Sequence, residues 1–263
     1  MARSVVWHLV VAALTIGVAA AASGSRGVYA QAGKRVSVYD ARPLAEAYLE
    51  LVKESRSLVS YEDAYYEYKG DLFDYRSESH PLQANRNSPQ MWFAPRRSLV
   101  FDYSASDLSK PDVLFANLVS NYNVNYFENE YRLVREGQWL HILPKAAKNP
   151  KGEIIDRASR LNVRVTFPDA ERTVETTIKL LTDTINKTES TSILLGVGAE
   201  RLLDKTKVRT GAQNEIARHV LMRLLEATGR KVTWSLLCSY DATPGKRTEL
   251  NDGACGLNFI DLG

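Results

Sequence analysis

The sequence predicts an α+β protein built as two tandem small two-layer domains, each running approximately β-α-β-β-α-β-β with two helices packed on short mixed sheets. Three observations point there. One order of strand and helix patterns occurs twice, a polar stretch divides the two occurrences, and each helical segment carries a single apolar stripe that one sheet can cover.

The elements follow in order. Val36 to Tyr39 has the pattern of a short strand, and Pro43 suits the first position of a helix, where its missing N–H costs nothing. Leu44, Ala47, Tyr48, Leu51 and Val52 recur at helical spacing until Ser55 to Ser57 ends the pattern. Leu58 to Tyr61 is a second strand candidate, and after a polar insertion at about 76–97 comes a third, Ser98 to Tyr103. Pro111 opens another helix through Leu114, Leu118, Val119 and Tyr122. Strands from Asn125 to Val134 and Trp139 to Leu143 then turn at Gly137. Residues 35–144 make the first domain and 145–159, containing Lys, Asn, Pro and Gly, the linker.

In the second domain, 160–263, Asn162 to Phe167 alternates as a strand should. Val174, Ile178, Leu181 and Ile185 form one helical stripe, followed by a strand, Ser192 to Leu195, and a weaker one, Thr206 to Thr210. Ile216, Ala217, Val220, Leu221, Leu224 and Leu225 mark the second helix, with Gly229 placed to cap it. Lys231 to Cys238 and Gly256 to Leu262 close the unit.

Ahead of both domains, residues 1–30 read as a secretory signal peptide. Arg3 precedes an apolar run from Val5 to Ala22, and small-residue cleavage patterns end at Ala22 and at Ala30. The run is also long enough to serve as an uncleaved anchor. With cleavage, the protein is exported, periplasmic or secreted, and has no membrane segment. The formal net charge of +3 belongs partly to this leader, which holds Arg3 and Arg26 and no acid; the remainder carries 32 basic and 31 acidic side chains. That balance gives no argument for a nucleic-acid partner.

Export bears on Cys238 and Cys255, the only cysteines of the 263 residues. In an oxidising compartment a disulfide is favoured over two buried thiols. The turn-rich Asp241 to Lys246 between them suits a hairpin that brings the cysteines to facing positions.

Little else carries chemistry, and no catalytic, cofactor-binding or metal-binding residue is assigned. His80, His141 and His219 fall in a loop, a strand and a helix without metal-ligand spacing. The glycines at Gly196 and Gly198 resemble a dinucleotide fingerprint, but Arg201 stands where its last glycine belongs. Pro244 to Thr248 lacks the first glycine of a phosphate loop, and Asn186-Lys187-Thr188 is a formal glycosylation sequon at a helix end. The most unusual stretch is Tyr61 to Tyr75, where five of the 13 tyrosines mix with five acids. Tyrosine is favoured in recognition surfaces, so Tyr61, Glu62, Asp63, Tyr65, Tyr66 and Tyr68 form the candidate partner surface; the competing reading is a strand edge whose tyrosines cover the core.

Arg35-Val36-Ser37-Val38-Tyr39-Asp40-Ala41-Arg42-Pro43-Leu44-Ala45-Glu46-Ala47, followed by Leu58-Val59-Ser60-Tyr61-Glu62-Asp63, resembles the opening of the secretin and TonB N-terminal short domain. Leu224-Leu225-Glu226-Ala227-Thr228-Gly229 and the strand Lys231 to Ser235 resemble its closing part, and Asp112 to Tyr126 with Trp139 to Leu143 gives a weaker version. Neither a barrel nor a secretin pore follows, and the insertion at about 76–97 is longer than the pattern expects. The resemblance implies a non-catalytic protein-interaction module of the bacterial envelope with an envelope protein as partner. The alternative is a periplasmic protein that binds a small molecule or glycan in the cleft between the two domains.

Overall fold

In the computed structural model, which describes residues 33–65, 67–74, 92–126, 129–189, 192–196, 203, 206–239 and 254–263, the chain is a mixed α+β fold. The first half runs β1 (Lys34–Asp40), α1 (Pro43–Ser55), β2 (Val59–Glu62), β3 (Phe73–Asp74), β4 (Trp92–Phe93), β5 (Arg97–Tyr103), α2 (Pro111–Asn125), β6 (Asn129–Glu136) and β7 (Trp139–Lys148). After β8 (Ile154–Asp156), the second half runs β9 (Arg164–Thr173), α3 (Val174–Glu189), β10 (Ser192–Leu195), β11 (Lys207–Ile216), α4 (Ala217–Ala227), β12 (Val232–Cys238) and β13 (Ala254–Asp261). The residues read as a leader lie outside the described residues.

Local chemistry explains the boundaries. Pro43 and Pro111 occupy the first turns of their helices. The α1 helix stops where Arg56 turns left-handed at φ 51°, and Gly229 takes the same region at φ 66° just past α4. At the tip between β6 and β7, Gly137 also has positive φ, which lets two residues reverse the chain.

The halves repeat one connectivity. In the first, β1 and β5 form an antiparallel ribbon, while β2 pairs parallel with β7 and β7 antiparallel with β6. In the second, β9 and β11 form the ribbon, while β10 pairs parallel with β13 and β13 antiparallel with β12. The three-stranded parts then join. β12 pairs parallel with β2, Ser235 opposite Tyr61 and Leu236 opposite Glu62, to give one sheet ordered β10-β13-β12-β2-β7-β6, with β8 on β7.

That junction corrects the expectation of two domains with separate sheets. Residues 35–144 and 160–263 share one sheet, and Ala32–Gly263 forms a single compact unit. The physical reason is that β2 and β12 would each be a bare edge with unpaired backbone groups, and each covers the other. The expected linker, 145–159, instead holds the end of β7 and all of β8, a hairpin on the same sheet.

Two apolar clusters flank the sheet. Val36, Leu99, Phe101, α1 and α2 pack with Val59, Tyr61, Leu140 and Ile142, and this cluster takes in Ile260 and Leu262 from the second half. Val165, Phe167, α3 and α4 pack with Ile193, Trp234, Leu236, Cys238, Cys255 and Leu257, and this one takes in Trp139 from the first half. Strand alternation sends neighbours to opposite faces, so Leu140 and Ile142 meet α1 and α2 while Trp139 lies with α3 and α4. Each helix pair thus covers a different face. At about 25 cal/mol per Å² of buried apolar area, these two clusters supply the main stabilisation of the fold. Among the described residues no helix is long and apolar enough to cross a membrane.

Candidate functional site

The tyrosine- and acid-rich stretch turns inward. Tyr61, Glu62 and Asp63 are buried, so they do not form the expected partner surface; they line the seam between the halves instead. Tyr65 and Tyr68 are half-buried, and Tyr66 lies outside the described residues. The reason is complementarity within the chain. Glu67 pairs with Arg157, Asp71 with Lys148, and the Arg160 guanidinium sits 4.3 Å from the Tyr65 ring centroid. Lys148 also lies over the Tyr68 ring at 5.2 Å. Charges that look like an interaction surface in the sequence are matched by Lys148, Arg157 and Arg160 on the β7–β8 hairpin and the residues after it.

Two polar clusters fasten the seam. In the first, the Asp63 carboxylate accepts from Arg42 Nε at 2.8 Å, the Tyr61 hydroxyl at 2.6 Å and the Cys238 amide at 3.0 Å. Arg42 also donates to the Cys238 carbonyl. Burial raises the Asp63 carboxyl above its ordinary value, against the lowering by Arg42, by the Tyr61 hydroxyl and by the Cys238 amide. Burial and the adjacent carboxylate hold the Tyr61 phenol well above its usual range.

In the second cluster, Arg218 at the start of α4 grips Glu62 with two bonds, and Ser159 donates to the same carboxylate. Glu136 lies 3.8 Å from Arg218 and 3.1 Å from His219 Nε2. His141 is fully buried beside Trp139 and Trp234, with Nδ1 2.7 Å from the Ser60 hydroxyl. Burial first, then the neighbouring Arg218 and His219, push its pKa down to about 3. A serine beside a histidine suggests nucleophilic chemistry, but Ser60 has no exposed surface for a substrate to reach. The arrangement ties strands together.

Cys238 and Cys255 face each other across β12 and β13 in a disulfide, with Cα atoms 3.9 Å apart. The hairpin reading placed these two correctly. Sequence reasoning missed Arg42, Arg218, Ser60 and Glu136, and set His141 aside as an isolated strand histidine. Arg218 and Glu62 are 156 positions apart, so no local spacing could reveal the pair. The one available signal was an arginine on the apolar side of a helix, between Ala217 and Val220.

Trp139, Trp234, His141 and Ser60 fill the middle of the seam and have almost no exposed surface. Beside it, Tyr65, Arg157, Ser159, Arg160, Val163 and Glu189 line a cavity of about 310 Å³, at the small end of the range of ligand pockets. The cavity beside Tyr61 and Tyr131, at the start of α1, measures about 40 Å³, far below the usual size of a ligand pocket. Two sites do remain open at the rim. The outer strands β6 and β10 end the seven-stranded sheet among the described residues.

Each rim strand is partly closed by one asparagine. Asn123 of α2 bonds both the N–H and C=O of Tyr131, and Asn186 of α3 does the same for Ile193. Since backbone groups alternate in direction along a strand, Leu133 and Arg135 turn the same way as Tyr131, and Leu195 the same way as Ile193. Comparison with protein-family models, with curated proteins and with solved structures gives no match for this chain.

Proposed function

We propose that the chain is an exported, non-catalytic protein-interaction module of the bacterial envelope, made of two repeats that resemble the short domains at the N-termini of secretins and TonB-dependent proteins and are joined through one sheet, and that it docks partners by adding a strand to that sheet. The observation that carries this reading is the pair of rim strands, β6 and β10, each with outward backbone groups beyond its asparagine. An edge of that kind offers main-chain hydrogen bonds to an extended segment of another protein. The seam supports it as well. There β12 and β2 pair in parallel within the chain, beside buried charge pairs and side-chain hydroxyls.

The test is site-specific photo-crosslinking in the native envelope, with the probe at Arg132 on β6, at Leu194 on β10 and, as control, at Lys179 on α3. Adducts confined to the two rim positions and containing exported proteins are the expected outcome. Adducts only at the α3 position, or a chain retained in the cytoplasm, would overturn the reading.

A further inference from the structure

The order β10-β13-β12-β2-β7-β6 is one triplet written twice, and the two copies are related by a definite operation. Both triplets run in the same order across the sheet. Strand directions reverse between them: β12 is parallel to β2, but β13 is antiparallel to β12 whereas β7 is parallel to β2. The covering helices change faces too. Same order, opposite direction and opposite face together describe a half-turn about an axis running across the strands, combined with a step along that axis. Such an operation does not close on itself.

We infer that the chain repeats this step between molecules, with β6 of one copy pairing in parallel with β10 of a second copy to extend the sheet head to tail. The inference rests on the interaction-module reading and names its partner: another copy of this chain.

The repeat fixes the register. Val59 faces Leu140 as Ile193 faces Cys255, and Leu133 faces Ile142 as Leu236 faces Leu257. On that alignment the internal pairs Ser235–Tyr61 and Leu236–Glu62 become Arg132 opposite Leu195 and Leu133 opposite Gly196 between copies. The asparagine at Ile193 is compatible with this. Its counterpart in the internal seam, Val59, also stands outside the ladder, its carbonyl taken by the hydroxyls of Tyr48 and Thr233.

Two of the exposed apolar side chains fall where the next step would lie. Leu194 corresponds to Ser60, which the α4 side of the seam buries completely, yet Leu194 is 51% exposed. Aligning the buried helix positions Leu114, Phe115, Leu118 and Val119 with Val220, Leu221, Leu224 and Leu225 makes Val113 the counterpart of His219, and Val113 is 48% exposed. His219 lies at the internal seam through its contact with Glu136. Two exposed apolar side chains therefore occupy the positions that the next contact would cover.

The test is sedimentation velocity of the full chain over a wide concentration range, with two variants. Leu194→Lys places a charge at the β10 rim on an exposed position, and Leu133→Pro removes the outward N–H of the β6 residue that the register sets opposite Gly196, at an edge where proline is tolerated. Native near-UV circular dichroism checks folding of each. The wild-type chain should grow continuously in size with concentration, without stopping at a dimer, and each variant alone should remain a monomer. Mixing the two, each keeping one intact rim, should restore pairs and nothing larger.

A wild-type chain that stays monomeric, one that stops at a closed dimer, or growth unchanged in both variants would overturn the inference. A monomeric wild-type chain that still gives rim adducts with other exported proteins would refute self-pairing alone and leave the module reading standing.

Discussion

Arg218 donates from Nε and Nη2 to the two carboxylate oxygens of Glu62 at 2.8 and 3.0 Å, a planar two-point contact buried between α4 and β2. Because neither group has solvent to fall back on, breaking one side strands the other. Arg218→Met or Glu62→Leu alone should cost about 3–5 kcal/mol of unfolding free energy in urea titration. The double variant should cost less than either single one, since it leaves no uncompensated charge. Equal or additive losses would mean that the contact is not the seam's main electrostatic tie.

Stability should depend on pH through His141. Its folded-state pKa is pushed down to about 3, whereas an unfolded histidine takes up a proton near 6.5. The unfolded chain therefore binds the extra proton first as the pH falls. This contribution is complete above about 6.5 and is lost progressively down to about 3, at roughly 1.4 kcal/mol per pH unit. Comparing wild type with His141→Gln isolates it: the variant should show a shallower decline in urea midpoint between pH 6 and 4. Parallel curves would show that His141 does not titrate in this way.

The disulfide closes a sequence separation of 17 residues, which in the chain-entropy model is worth about 3 kcal/mol. Replacing both cysteines with serine should lower the stability by about that amount. The loss should spread to the seam, since Asp63 and Arg42 bond the backbone of Cys238. Hydrogen exchange at the Tyr61 and Asp63 amides reads this out; unchanged protection there would confine the effect to the hairpin.

Asn186 closes both backbone groups of Ile193, so Asn186→Ala should cost about 1–3 kcal/mol for the groups left unsatisfied. It should also make the β10 rim more adhesive, seen as faster light-scattering growth than wild type. A stable variant with unchanged scattering would remove the edge-closing role. The sequon reading of Asn186 is disfavoured by the same geometry, because its amide nitrogen already donates to Ile193.

Much of the architecture was legible from local pattern. Strands and helices fell near their observed bounds because burial of one face imposes a period of two or 3.6, and because Pro43, Pro111, Gly137 and Gly229 act through their own backbone restrictions or freedom. The facing of Cys238 and Cys255 was legible for a similar reason: a hairpin turns a short separation into a register. The candidate surface was not. Tyr61, Glu62 and Asp63 look solvent-seeking in the sequence, and only the approach of Arg218, Arg42 and Cys238 from distant positions makes their burial affordable.

The sequence by itself determined helices α1 to α4, the longer strands, their order in each half and the disulfide hairpin, since these depend on neighbours along the chain; the short strands β3, β4 and β8 escaped it. The tertiary structure decided that the two halves share one sheet and that each helix pair covers a different face. It also decided that the acid-rich stretch serves an internal seam. Those outcomes turn on which bare strand edge meets which, and on whether a buried charge finds its partner 156 positions away; chain-local periodicity carries no information about either.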